Sequence, residues 1–363
     1  MKGKARQANI ELLRIIAMLM VVVLHYLIKG GAAVSLAENF SAINIVLWFV
    51  KALCIVTINV YVLISGYFLL EAKWRISRLV NLWFQTMFYS IGVPVVCLVL
   101  RTGDVEHWGM YDWVNVLFPV QMEHYWFISA YIVLYLFIPI LGTGVKHLNK
   151  QQHKWIIVGL LLVFSVPKTI LPISIPTDRY GYDFGWFMCL FMIAAYIRLY
   201  GFPVFNRKRT SFVIYLAAVL GIWGISVVCA ALSRRGLSFE YMMNMAYCYN
   251  HLLVLIAAVA LFYVFIYIQI PQGVISKIIC KISPYTLGVY LLHENLAVRA
   301  KWQFWAGIES VRDGFGIFGH MIVTVIAVFI AGVVVDYVRD CIFKAAVNLW
   351  KKRFAGKIAE NKK

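Results

Sequence analysis

The sequence predicts an all-α, polytopic integral membrane protein of about ten transmembrane helices, with both termini cytoplasmic. Three observations carry that reading. First, 63% of the 363 residues are hydrophobic and only 14% are charged, whereas soluble domains run nearer half and a quarter. A soluble domain of this balance would have nowhere to place its apolar surface, and disorder needs the opposite composition. Second, mean hydropathy is +0.80, and the apolar residues fall in long runs of the length a bilayer needs. Third, Lys and Arg are unevenly shared between alternate breaks in those runs.

The runs place helices near 10–28, 42–70, 79–100, 124–142, 155–172, 184–200, 211–232, 245–268, 284–299 and 315–338. The first follows the basic stretch MKGKARQANIELLR and continues past signal-peptide length without a clean small-residue cleavage site, so it reads as a retained helix. RTGDVEHWG ends the third, and the longest non-apolar loop, about 101–123, leads into the fourth. PISIPTDRYGYD separates the fifth from the sixth, NRKRT and SRRGLS bracket the seventh, and IPQGVISK closes the eighth. Each break carries the Gly, Pro or charge that stops a helix. No repeat or linker divides the chain, so 1–340 reads as one transmembrane domain and 341–363 as a short basic cytoplasmic tail.

With the N-terminus inside, the cytoplasmic segments hold 23 Lys and Arg and the outer segments 9, with Arg14 and Lys51 inside helices. That asymmetry sets the orientation. Trp74, Trp108, Trp113 and Trp155 near the breaks suit interfacial anchoring. The net charge of +18 therefore reads as membrane topology rather than nucleic-acid binding, since no soluble basic domain exists to carry the latter. The seven cysteines form no CxxC pair and read as small buried hydrophobes. The eight histidines show no HxxxH or HExxH spacing, so no metal site is expected.

Chemistry concentrates in the first helix, NIELLRIIAMLMVVVLHYLI, which carries Glu11, Arg14 and His25. Charged groups in hydrocarbon cost at least a few kcal/mol each, so apolar residues would be cheaper there. Eleven steps of about 100° bring His25 to within roughly 20° of Arg14, about 16 Å along the axis. Glu11 lies one turn before Arg14 on nearly the same face. The three share a stripe able to line a channel from the cytoplasmic side. Glu11 and Arg14 alone would also serve as an ion pair at the helix end, with His25 at the interface.

Further motifs are SGYFL at Ser65 to Leu69, R-x-x-R at Arg75 and Arg78, HYWFISAYIVLYLFIPIL at 124–141 and PYTLGVYLLHE at 284–294. With Arg14 and His25 as R-x10-H, these five, in this order, resemble the acyltransferase family 3 membrane O-acyltransferases over essentially the whole chain. The resemblance implies transfer of an acyl group, usually acetyl, from cytoplasmic acyl-CoA to a hydroxyl of a cell-envelope or exopolysaccharide sugar or a lipid-linked sugar. It implies acyl-CoA as a co-substrate, with no bound cofactor, and a multi-pass protein of a bacterial inner (cell) membrane. His25 takes the catalytic role, Arg14 that of its partner in donor or acyl-group handling with Glu11 orienting it, and Arg75 and Arg78 the donor side. The chain resembles members without the extra C-terminal hydrolase-like domain.

An alcohol attacking a thioester must lose its proton, and imidazole suits that work near neutral pH. His25 could instead take the acyl group itself and relay it. Arg75 and Arg78, three apart, can face CoA phosphates, and as basic residues inside the membrane they also serve topology. Thr286, Tyr290 and His293 share one face of the ninth helix, with Glu294 next, and mark a pocket or interhelical hydrogen bonds. Ser65 and Tyr67, with Asn59 and Tyr61, offer polar groups in the second helix, although Ser65–Gly66 also reads as close packing. Trp126 and Ser129, beside His124 and Tyr125, offer a surface for sugar rings or an interfacial anchor. Asn250, His251 and His320 are weaker candidates. A transporter or flippase for a lipid-linked sugar would also use buried Glu, Arg and His, but the sequence lacks the related halves common in transporters.

Overall fold

The computed structural model describes residues 6–103, 105–175 and 178–360, with 350–360 as backbone. Lys2, Lys4, Lys362 and Lys363 of the charge count lie outside the described residues. The described residues form helices and turns without strands. The helices are α1 (Ala8–Lys29), α2 (Ala42–Cys54), α3 (Thr57–Leu69), α4 (Ile76–Leu100), α5 (Met110–Leu117), α6 (Trp126–His147), α7 (Lys150–Phe164) and α8 (Val166–Ile170). They continue as α9 (Phe184–Leu199), α10 (Lys208–Ser233), α11 (Glu240–Met245), α12 (Leu252–Ile266), α13 (Val274–Ile282), α14 (Thr286–His293), α15 (Trp302–Trp305) and α16 (Gly316–Glu360).

Seven helical segments among the described residues are long and apolar enough to cross a membrane: Ala8–Lys29, Ala42–Leu69, Ile76–Leu100, Trp126–His147, Lys208–Ser233, Val274–His293 and Gly316–Leu349. The fold is thus all-helical and polytopic. Of the other three expected helices, α9 and α12 are apolar but only 16 and 15 residues long. The third, α7, also has 15, and it opens on the polar run KQQHK. At 1.5 Å per residue such helices reach about 24 Å, short of a hydrocarbon core about 30 Å thick.

Local chemistry sets the boundaries. Ser41 caps α2 by accepting from Asn44 N, Asn149 and Gln152 make a reciprocal cap on α7, and Asp183 caps α9 at Trp186 N, 3.0 Å away. Several expected bounds change. The second expected helix is interrupted at Ile55–Val56, between α2 and α3. The fifth starts at Lys150 and breaks at Ser165, before Pro167. The fourth starts at Trp126, leaving His124 and Tyr125 in the preceding turns. The ninth begins ten residues early, as α13, turns at Ser283–Pro284 and ends at His293 rather than 299. The tenth continues well past 338, because Asp336 pairs with Arg339 at 2.7 Å and lets the charged end stay helical.

Two apolar cores form the bundle. One gathers α3, α9, α10 and α12, with Trp186, Phe187 and Phe262 fully buried. The other gathers α1, α14 and α16 around Tyr26, Val289 and Leu291. Helix α1 touches α2, α3, α12, α13, α14 and α16, which makes it central. Helices α14 and α16 approach closely because glycines face the contact: a Cβ on Gly288 would collide with Asp336, and one on Gly332 with Val289. Large apolar side chains such as Val99, Val163 and Val323 stand on the outside, which suits lipid contact.

Candidate active site

A cavity of about 470 Å³ opens where the two cores meet, with walls from α1, α3, α4, α6 and the Ser283–Tyr290 segment. That volume falls within the roughly 300–1,000 Å³ of small-molecule sites. From α1 it is lined by Arg14, Met18 and Val21, the stripe at i, i+4 and i+7. From α14 it is lined by Thr286, Leu287 and Tyr290. Arg78 and Ser65 also line it, with Tyr61 and Tyr131. Two buried donors on this wall, Arg14 Nε and the Tyr290 hydroxyl, have no hydrogen-bond partner among the described residues. Such groups are costly unless a ligand satisfies them.

One turn beyond the cavity, both helices bring polar groups together. His25 follows Val21 on α1, and His293 and Glu294 follow Tyr290. His25 Nδ1 lies 2.9 Å from His293 Nε2 and 3.2 Å from Glu294 Oε2. The other Glu294 oxygen pairs with Lys29. His293 Nδ1 is 2.5 Å from the Val289 carbonyl, which can only accept. His293 therefore donates from Nδ1 and accepts at Nε2, His25 donates from Nδ1, and the lone pair of neutral His25 falls on Nε2. The ligand atoms of His25, His293 and Glu294 lie within 4.8 Å of one another. They come from two separated segments, so no sequence spacing reveals them, and the carboxylate is already paired with an ammonium.

Other sequence candidates sort by their contacts. The buried Glu11 carboxylate accepts from Ser283 Oγ rather than from Arg14; among the described residues no ion pair joins it to Arg14, whose backbone carbonyl accepts from Tyr61 at 2.7 Å. Arg75 is the N-cap of α4, its backbone tied to the Tyr135 hydroxyl, and only Arg78 of the pair lines the cavity. Ser65 lines the cavity while its neighbour Gly66 packs against Ala194. Tyr67 turns away, lying under Arg198 and against Phe262. Trp126 joins Tyr182 and Tyr249, with centroids 4.4 and 5.9 Å away, whereas Ser129 is spent on the Val120 carbonyl at 2.7 Å.

The remaining polar candidates hold the framework. Asn59 accepts from Trp186 and donates to the Tyr249 carbonyl. Asn250 donates to Phe164 O and Asp178, and His251 caps α12. His320 bridges the Tyr26 hydroxyl and the Ala306 carbonyl. His124, just outside its spanning helix, accepts from Leu296 N at 3.0 Å, and burial, with a contribution from Arg299, lowers its pKa to about 4. It stays neutral and fixes the turn after Glu294.

An all-helical fold with seven apolar spans defines a polytopic membrane protein. The reaction class follows from its relatives. Residues 7–338 match the acyltransferase domain family; the chain belongs to that family and is an acyltransferase, a transferase of groups other than aminoacyl. No curated protein and no solved structure matches the chain.

Proposed function

We propose that this acyltransferase moves an acyl group, acetyl, from cytoplasmic acyl-CoA to a hydroxyl of a cell-envelope or exopolysaccharide sugar. The observation carrying this is the cavity, with the unpartnered donors Arg14 Nε and Tyr290 OH on its wall, ending one turn short of His25. In this reading the thioester arm enters past Arg78, and Tyr290 donates to the thioester carbonyl as negative charge develops there. His25 Nε2 takes the acceptor's hydroxyl proton as the oxygen attacks, and the departing thiolate receives that proton. The group-transfer family sets the transporter reading aside. Membrane vesicles given radiolabelled acetyl-CoA and candidate glycans test it: label should pass to glycan, and its retention on CoA with every acceptor would count against the reading.

The donor reading separates Arg78 from Arg75. Arg78→Ala should raise the KM for acetyl-CoA by roughly tenfold or more, the scale of one lost charge-assisted contact. Arg75→Ala should change it less, because Arg75 lies outside the cavity wall. Unchanged donor KM in both variants would leave them as topology residues.

The same proposal takes residues 1–340 as one unit in a bacterial inner membrane, crossing about ten times with α7, α9 and α12 as short crossings beside the seven long spans, and with the 341–363 tail and the N-terminus in the cytoplasm. Reporter fusions at Lys363 and in the 101–123 loop should report opposite sides. The same side for both would break this map.

A further inference from the structure

Among the described residues beyond His25, away from the cavity, one positive charge has no carboxylate of its own. The His25 and Lys29 side chains are 20% and 27% exposed, yet neither belongs to the cavity wall, so both open elsewhere. Glu294 already serves both of them. Arg299, half-buried, lies within electrostatic reach of His25, Lys29 and Tyr290. The described residues give its guanidinium no carboxylate and no hydrogen-bond acceptor.

Its place is nonetheless built. Arg299 N donates to Asn295 O at 2.8 Å. Gln303 Nε2 donates to the Arg299 carbonyl at 3.1 Å and to the His25 carbonyl at 3.3 Å. Asn295 Nδ2 in turn donates to Tyr89 O and to the Tyr125 hydroxyl. Asn295 and Gln303 are both fully buried. Two buried amides thus hold the turn of Arg299, an arginine without a carboxylate among the described residues, against the turn of His25. Two cations against one carboxylate also oppose the imidazolium that forms when His25 takes a proton. A neutral acceptor leaves that opposition in place, whereas a negative group between the cations relieves it.

We propose, building on the acyltransferase reading of His25, that the acceptor is an anionic sugar, a glycosyl phosphate or a uronate, with its negative group held by Lys29 and Arg299. Tyr182, exposed beside Trp126, offers a face for the sugar ring. An acceptor bearing this charge promotes its own deprotonation by His25.

The test uses the full chain purified in detergent, with binding read by tryptophan fluorescence for glucose, glucose 1-phosphate and glucuronate, and for acetyl-CoA in the same preparation. At least one anionic sugar should bind at concentrations where glucose does not, and the tighter of the two identifies phosphate or carboxylate. Arg299→Gln should raise its half-saturating concentration about tenfold or more, Arg299→Lys should recover most of the loss, and acetyl-CoA binding should be unchanged in both. Equal binding of glucose, or no binding by either anionic sugar while acetyl-CoA binds, overturns the proposal. So does an anion response that survives Arg299→Gln and disappears in Arg78→Gln, since the sugar phosphate would then be occupying the donor site. Failure of acetyl-CoA alone to bind counts against the donor reading and leaves the acceptor's charge to the sugar arms.

Discussion

His25→Gln should reduce acyl transfer by roughly 10²–10⁴-fold, the usual contribution of general base catalysis, with protein level and membrane insertion unchanged. Glutamine has similar bulk and can still donate to His293 Nε2, where His25 Nδ1 now lies at 2.9 Å. What it lacks is a basic nitrogen. In the hydrogen-bond chain from Val289 O through His293 to His25, every proton is accounted for and the one lone pair left on the second imidazole is Nε2. A route in which His25 takes the acyl group first would attack from the same nitrogen, so the variant is inactive by either path. His25→Ala should be at least as inactive. Turnover of radiolabelled acetyl-CoA within threefold of the unaltered protein, in well-inserted His25→Gln, would refute the assignment.

Much of this site is legible along α1, because a helix turns sequence spacing into direction. The spacing of Glu11, Arg14 and His25 predicts one stripe; Arg14 lines the cavity together with Met18 and Val21, His25 lies one turn on, and Glu11 is bonded to Ser283 instead. The same arithmetic warns about Tyr67, which is two residues, or about 200°, from Ser65; Ser65 faces the cavity and Tyr67 faces Arg198. The meeting of His25 with His293 and Glu294 is different. It depends on α14 seating against α16 at Gly288 and Gly332 and against α1 beside it; His25 and His293 stand 268 residues apart, a contact that one sequence does not encode by spacing. The Ser283 bond to Glu11 is hidden for the same reason.

The helical runs are equally legible where composition alone decides. Their ends are less so. Ile55–Val56 interrupts a run with neither Gly nor Pro, so nothing local announces the break. IPQGVISK looks like a loop because Pro, Gly and Lys cluster there, yet α13 starts directly after Gly273 and keeps Lys277 exposed while Ile279 is buried. The amphipathic pattern is present, but nine residues are too few for it to outweigh the breakers.

Glu294→Gln should lower kcat by roughly 10²-fold or more, and most of that loss should come from Lys29. Glu294 divides its two oxygens, one toward His25 Nδ1 and one to Lys29. An amide at the same place keeps the shape of the carboxylate but cannot balance a charge. Lys29 would then stand as an ammonium without its carboxylate beside an imidazole that must become positive in the transition state. Adding Lys29→Met to Glu294→Gln removes that ammonium, so the double variant should turn over faster than the single one, by about tenfold. Its KM for the acceptor should rise, because Lys29 is also one of the two cations holding the acceptor's negative group. A purely structural role for Glu294 predicts the reverse, since two substitutions at one buried contact would lower folded protein further without restoring kcat. Equal kcat in the single and double variants, normalised to inserted protein, would show that charge balance at His25 is not what Glu294 provides.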